Sequence, residues 1–599
     1  GEALIGAEDG TIVAVGKGSY DEAIELPTGV TVQGACAAET TISFAGPSQD
    51  RAVVTALLPR ATLRDIAIGP SGRPGIGVGR ANTSLTVEGV VIDGATEFGM
   101  FVDDQATATL DGVLIQNSQS LLTRSGVGLY VQRNAEVTMQ NSVLLDNRDS
   151  AILVNEAGVL TVERSVVART LPAVGAPDGG KGIQVQLRGN ATLRESVFRD
   201  NVDMALFVVS PQTFLTGENL LIRATTAREI DGKGGQGFFV QDGATGVLRN
   251  STVAENQEAA VVVTGATATL EDVIVRDTLP GPANSSPGFG LLARERSTLT
   301  LRRMEFLRNR AVAVAITDPD TTGTLEDLRV EGTLSDRFDD ALGHAMEVGR
   351  AAQVTGARIV IRDHLEGSIV VDGADTMVVL EDVDVEGTGP RVSDGRFGRA
   401  VNVANGAELT LRRARLASNR ELGVLASAAT VILEAVHVVD TRSEEFSQGP
   451  GRGIQAQNEA ILTATDVRVE RSQGVGVLVL RSTATVAGLE LVDVAPVDCA
   501  ATTCPDEAGA LGFAVQGGTA TVDRFVIEAA SFCGVQLAEG SLDLQDGTIR
   551  GHSIGACVQV DGYDTTRLTD TVEFEANDVP IQATTIPIAM PAASLADIL

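Results

Sequence analysis

The sequence predicts an all-β solenoid of roughly twenty coils, in which short and long coils alternate. Three observations predict it. A unit seen cleanly from Met139 to Val162 recurs to the end of the chain. It holds apolar positions at Met139, Val143 and Leu145, a polar corner at Asp146-Asn147, an apolar run from Ala151 to Val154, and a turn at Glu156 to Gly158. Its anchor position returns at Leu110, Met139, Val162, Leu193, Gly217, Leu248 and Leu270, and short and long intervals alternate, so the true repeat is a coil pair. Each coil also offers three short β-prone runs bounded by Gly, Asn and Asp, as around Leu380, Ala400 and Glu408. Runs so short pair only with the coils above and below.

Taken in order, residues 1–45 differ from the rest and read as an N-terminal cap with the first strands. They carry Thr11 to Val15, Gly18-Ser19-Tyr20, Leu26-Pro27 and Gly29 to Gly34. This opening resembles the entry of pectin-lyase-like parallel β-helix proteins of the bacterial secreted and cell-surface type. In those proteins a strand, a Gly-x-Tyr turn and a Leu-Pro-x-Gly-Val-x-Val-x-Gly strand lead into the first coil. The resemblance covers the cap by motif and the later coils by pattern, and it implies a single-stranded right-handed parallel β-helix. That is the hand expected of parallel crossovers. Residues 46–564 then form the β-helix. Residues 565–599, where Pro580, Pro587 and Pro591 break the pattern, form a C-terminal cap or tail that lies across the last coil or reaches a partner. An uncovered end exposes strand edges and allows self-association, including into a filament.

The strongest side-chain signal falls eight residues after each anchor. Short coils place Asn147, Asn201, Asn256, Asn309, His364 and Asn419 there, and long coils place Thr170, Thr225, Thr278, Thr333, Thr388 and Thr441. Stacked, they form an alternating Asn and Thr ladder whose side chains satisfy backbone groups at one corner, with Asn suited to a left-handed backbone. A ladder present in every coil marks geometry, so His364 reads as a substituted rung. The extra residues of the long coils enter between this corner and the next strand, for example from Leu171 to Lys181 and from Leu334 to Gly343. They form a ridge of loops along one edge, the surface that varies most and the natural binding face.

Composition narrows the function. A net charge of -33 argues against nucleic acid and anionic membranes, and no stretch suits membrane insertion. With Trp 0, Tyr 3 and 3% aromatic residues, the chain lacks obvious rings on which to stack sugars. Cys499 with Cys504, and Cys533 with Cys557, are placed for two disulfides, which implies an oxidising, extracellular or cell-surface location; Cys36 is left over.

Catalytic acids work only where they converge. The nearest approach to a constellation is Asp336, Asp339, Asp340 and His344 in one loop, which admits calcium or a catalytic pair, with solvated loop charge as the plain alternative. No other metal site and no other cofactor is indicated. The expectation is a non-enzymatic structural rod or adhesin-like protein that binds a protein or glycan at a surface through its loops. The alternative that the resemblance implies is a polysaccharide lyase or glycoside hydrolase, signalled by a cleft of converging acids beside the ridge.

Overall fold

The computed structural model describes residues 1–44, 46, 51–120, 126–175, 179–282, 287–443, 449–497, 509–585 and 592–593. Cys499 and Cys504 lie outside them. The fold is a right-handed parallel β-helix with three strand positions per coil. It packs as two compact units, Gly1–Leu291 with Ser297–Leu299, and Leu292–Arg296 with Thr300–Leu599.

In the first unit a typical coil contributes strands Glu136–Gln140, Val143–Leu145 and Ser150–Val154, called here the first, second and third positions. The anchors face one another in register: Leu110 opposes Met139, Met139 opposes Val162, and the series runs on through Leu193, Gly217, Leu248 and Leu270. Alternate side chains point inward, and Leu110, Met139 and Val162 are fully buried. In the second unit the first two positions merge into ten-residue strands such as Gln353–Arg362 and Met377–Glu386, with the same register: Leu325, Gly356, Leu380, Leu411, Leu433 and Ala464 stand one above the next.

Coil pairing extends beyond the boundaries read from sequence. Ile12–Val15 already pairs with Thr31–Gly34, which pairs with Ala61–Arg64. At the other end Val572–Glu575 and Val579–Ala583 pair with the coil before them, after the short helix Thr566–Thr569. These last strands have no fully buried face, and Pro580 sits on an edge with no further described coil to pair with, so their pattern fades although their backbone pairs. The described part of the tail, Ala592 and Ala593, does not lie against these strands. It contacts Arg399 and Gln457, where the outward Leu422 and Leu425 offer apolar surface.

Candidate functional site

In the corner ladder Asn147, Asn201, Asn256 and Asn419 each bond the coil before them, whereas the Thr rungs do not satisfy backbone groups as expected. The Thr170 and Thr388 hydroxyls donate to Asn201 and Asn419 Oδ1 at 2.8 and 2.6 Å, and those of Thr225, Thr333 and Thr441 are buried without a partner among the described residues. Asn147, Asn201, Asn256 and Asn419 are completely buried. Each Oδ1 accepts the backbone N–H of the preceding rung: Thr170 to Asn201, Thr225 to Asn256 and Thr388 to Asn419, all at 3.1 Å. The Nδ2 groups of Asn147, Asn201 and Asn256 donate to the carbonyls of Ile115, Val167 and Ile222 at 3.0, 3.4 and 3.3 Å. At His364 the imidazole Nε2 makes the equivalent bond to Val330 O at 3.1 Å, and burial pushes its pKa down to about 4. The Asn residues themselves are not left-handed. That conformation belongs to the residue before each rung, such as Asp146 and Asp200, and, at the Asn and His rungs, to the residue two after it. The ladder also runs past Thr441. His552 accepts Ala530 N–H on Nδ1 at 3.0 Å and gives its own N–H to Asn577 Oδ1 at 3.0 Å.

No side-chain hydrogen bond or ion pair joins the four loop candidates to one another. Asp336 Oδ1 accepts the N–H of Phe338 at 3.3 Å and Asp339 Oδ1 that of Ala341 at 3.0 Å, so both carboxylates shape the loop. Asp339 and Asp340 point to solvent. His344 is buried on the sheet face with Nδ1 3.6 Å from Glu347, apart from the three acids. Among the described residues no group of three or more His, Cys, Asp or Glu is arranged to hold a metal. The same turn is built at 228–234, where Asp231 accepts Lys233 N–H, and at 391–396, where Asp394 accepts Arg396 N–H. A fold that repeats a turn repeats its acid.

A row of acids stands at the foot of the loops, one in every second coil. Two residues after the rung stands an acid in left-handed conformation: Asp149 at φ 63, Asp203 at φ 74 and Glu258 at φ 63 in the first unit. The returning loop closes onto it. Gly180 and Lys181 give their N–H groups to Asp149 O at 2.6 and 2.9 Å, and Gly235 and Gln236 give theirs to Asp203 O at 2.5 and 3.1 Å. Glycine is required for this approach: a Cβ on Gly179 would stand 2.9 Å from Asp149 Oδ1, and one on Gly234 2.6 Å from Asp203 Oδ1. The loops bring cations to Asp203, Lys181 from a return and Arg228 from the start of the next loop. Lys181 Nζ lies 3.2 Å from Asp203 Oδ2 and Arg228 Nη1 lies 3.1 Å from Asp203 Oδ1, with Asp203 only 1% exposed. Glu258 accepts Gly234 N–H at 2.8 Å. Burial raises the pKa of Asp149 and of Glu258, and the charge of Asp203 adds to both effects.

Beside this cluster the outward column of the third strand position runs Phe101, Tyr130, Leu153, Gln184, Phe207 and Phe239 through successive coils. Phe98 stacks on Tyr130 at 5.2 Å, Phe207 meets Phe239 at 5.6 Å, and Lys181 Nζ lies 5.8 Å over the Phe207 ring. Amides fill the gaps: Asn155 donates to Tyr130 Oη at 3.0 Å, Gln184 to Gln186 at 2.6 Å, and Tyr130 bonds Gln132. The few rings of the chain are thus partly concentrated on one face. A count of aromatic residues hides this.

Cys533 and Cys557 form a disulfide between adjacent coils. Cys36 is a free thiol 3.5 Å from the Glu39 carboxylate. No helix among the described residues is long and apolar enough to cross a membrane.

Residues 74–227 match the family described as right handed beta helix region, a stretch that includes Asp149, Lys181 and Asp203. The match agrees with the right-handed parallel β-helix described above. Solved structures similar to the chain include the pectate lyase Pel9A, with 16% identity over 48% of this chain and 76% of that one, TM-score 0.35. The PL6 family alginate lyase AlyGC shares 9% identity over 97% of this chain and 98% of its own, TM-score 0.22. A GH87 alpha-1,3-glucanase from Streptomyces thermodiastaticus shares 12% over 86% and 64%, TM-score 0.20. No curated protein matches the chain in sequence.

Proposed function

We propose that the protein is an extracellular carbohydrate-active enzyme, which holds a polysaccharide across the third-position face of its first unit and cleaves it beside Lys181. The observation that carries this reading is Asp203 paired with Lys181 and Arg228, with Asp149 and Glu258 two coils before and after it, next to a face of rings and amides. Rings stack on sugar faces and amides bond hydroxyls, while paired carboxyls flanking a glycosidic bond supply the acid and the base of its hydrolysis. Asp149, its pKa raised chiefly by burial, holds a proton at higher pH than an exposed carboxyl does, as a general acid must. Lys181 and Arg228 pair with Asp203 and fix the position of its carboxylate. The net charge of -33 favours a neutral glycan over a polyanion, and the disulfide between coils suits an oxidising compartment. The loop ridge becomes the wall of the site, and the adhesin-like role gives way to catalysis.

The test is a screen of the intact chain against neutral and acidic polysaccharides, with and without calcium, reading new reducing ends, unsaturated products and retention together. Reducing ends that fall at least about 100-fold in Asp149→Asn, with the unfolding temperature held, would support the proposal. Retention without product would return the reading to a glycan-binding adhesin. Unsaturated products would assign lyase chemistry to the same cluster.

A further inference from the structure

The third-position face of the second unit carries an arrangement of a different kind. Strands Arg399–Ala404, Leu422–Ser427 and Gly451–Gln457 pair in parallel there, with Asn402 opposite Leu425 and Leu425 opposite Gln455. Their outward side chains would ordinarily meet water. Instead Arg399, Asn402, Leu425, Gln455 and Gln457 are no more than 1% exposed.

Part of the cover comes from the far end of the chain. Gln457 Nε2 donates to Ala592 O at 2.8 Å and Gln457 Oε1 accepts Ala592 N–H at 2.9 Å. Arg399 Nη2 donates to Ala593 O at 2.7 Å, and the Ala592 methyl packs with Leu422 and Leu425. One carboxamide that both gives to and takes from the same peptide residue reproduces a rung of a β-ladder. The contact therefore reads backbone, and it admits only a small side chain at the apolar spot.

The groove is braced by its own partners. Glu421 holds Arg399 Nε and Nη2 at 2.6 and 2.9 Å, Asn402 Oδ1 accepts from Nη1 at 2.9 Å, and the Phe397 ring lies 4.6 Å from the guanidinium carbon. Gln455 donates to Gln457 at 2.5 Å and Arg452 to Gln455 at 2.6 Å, which fixes the carboxamide that reads the peptide. Such bracing lowers the ordering cost of capturing a chain.

We propose that this face is a binding groove for an extended polypeptide, and that the chain's own Ala592 and Ala593 occupy it in cis as a strap. The occupant is identified by Ala592 and Ala593, which supply the two carbonyls, the N–H and the methyl that the groove receives. The strap closes this face to other extended chains, and its release opens a polar, backbone-reading site.

Two measurements test the proposal. In the full chain, hydrogen exchange at the Ala592 amide is expected to be protected and to speed up at least tenfold in Gln457→Ala. Unchanged exchange would overturn the docking. A chain ending at Thr585 keeps every paired strand through Ala583. Its unfolding temperature confirms folding, and it is expected to bind a labelled peptide of residues 586–599 at least tenfold more tightly than the full chain does. The peptide carrying Ala592→Asp should lose that binding. Equal binding by the two chains, or no binding by the folded shorter chain, would refute the groove. A dimer of the full chain that disappears on shortening would assign the strap to a second copy and refute docking in cis.

Discussion

At Asn256 a single side chain answers two buried backbone groups, the Thr225 N–H and the Ile222 carbonyl. Removing it leaves both unpaired, so Asn256→Ala should lower stability by about 1 to 2 kcal/mol. Chemical denaturation measures this, and glycan binding should not change. His364 adds a pH dependence. The unfolded chain takes up a proton near 6.5, whereas the folded imidazole resists until about 4, so stability is lost as pH falls between those values. The loss amounts to about 3 kcal/mol. His364→Asn should flatten the profile in that window. These rungs were legible because the same residue type returns at the same place in each coil. The left-handed positions beside them were not, since Asp146, Arg169, Asp200, Ala224 and Glu255 are of four residue types.

At the scale of elements, the three strand positions and their register follow from period alone: Leu110, Met139 and Val162 align in sequence and oppose one another in space. The acids at the foot of the loops are a different case. Asp149, Lys181, Asp203, Arg228 and Glu258 lie in five successive coils and fall into one row only because the coils stack. A faint signal precedes the row, an acid two residues after the rung, at Asn147-x-Asp149, Asn201-x-Asp203 and Asn256-x-Glu258. Asp336 and Asp339 looked more promising because they are neighbours in sequence, yet neighbouring carboxylates in a short loop bond the loop's own N–H groups first. The disulfide between Cys533 and Cys557 clamps two coils over a separation of 24 residues. Reduction, or Cys557→Ala, should cost about 3 kcal/mol by loop-entropy reasoning, seen as a lower unfolding temperature that reductant does not lower further in the variant.

For the molecule as a whole, a charge of -33 predicts mutual repulsion that salt relieves, so the unfolding temperature should rise between low and physiological ionic strength. The same charge makes local cations valuable, and Lys181 and Arg228 are placed by the loops against buried acid, beside Phe207 and its amide neighbours. The aromatic face escaped the sequence because Tyr130, Phe207 and Phe239 are separated by whole coils and align only once the coils are stacked. The central claim is that this face cleaves a polysaccharide. The most direct measurement is product release from a neutral glycan by the intact chain and by Asp149→Asn, each checked for an unchanged unfolding temperature. Release by the native chain and its near-complete loss in the variant is the predicted result; equal release by both, or none by either across the polysaccharide panel, would contradict it.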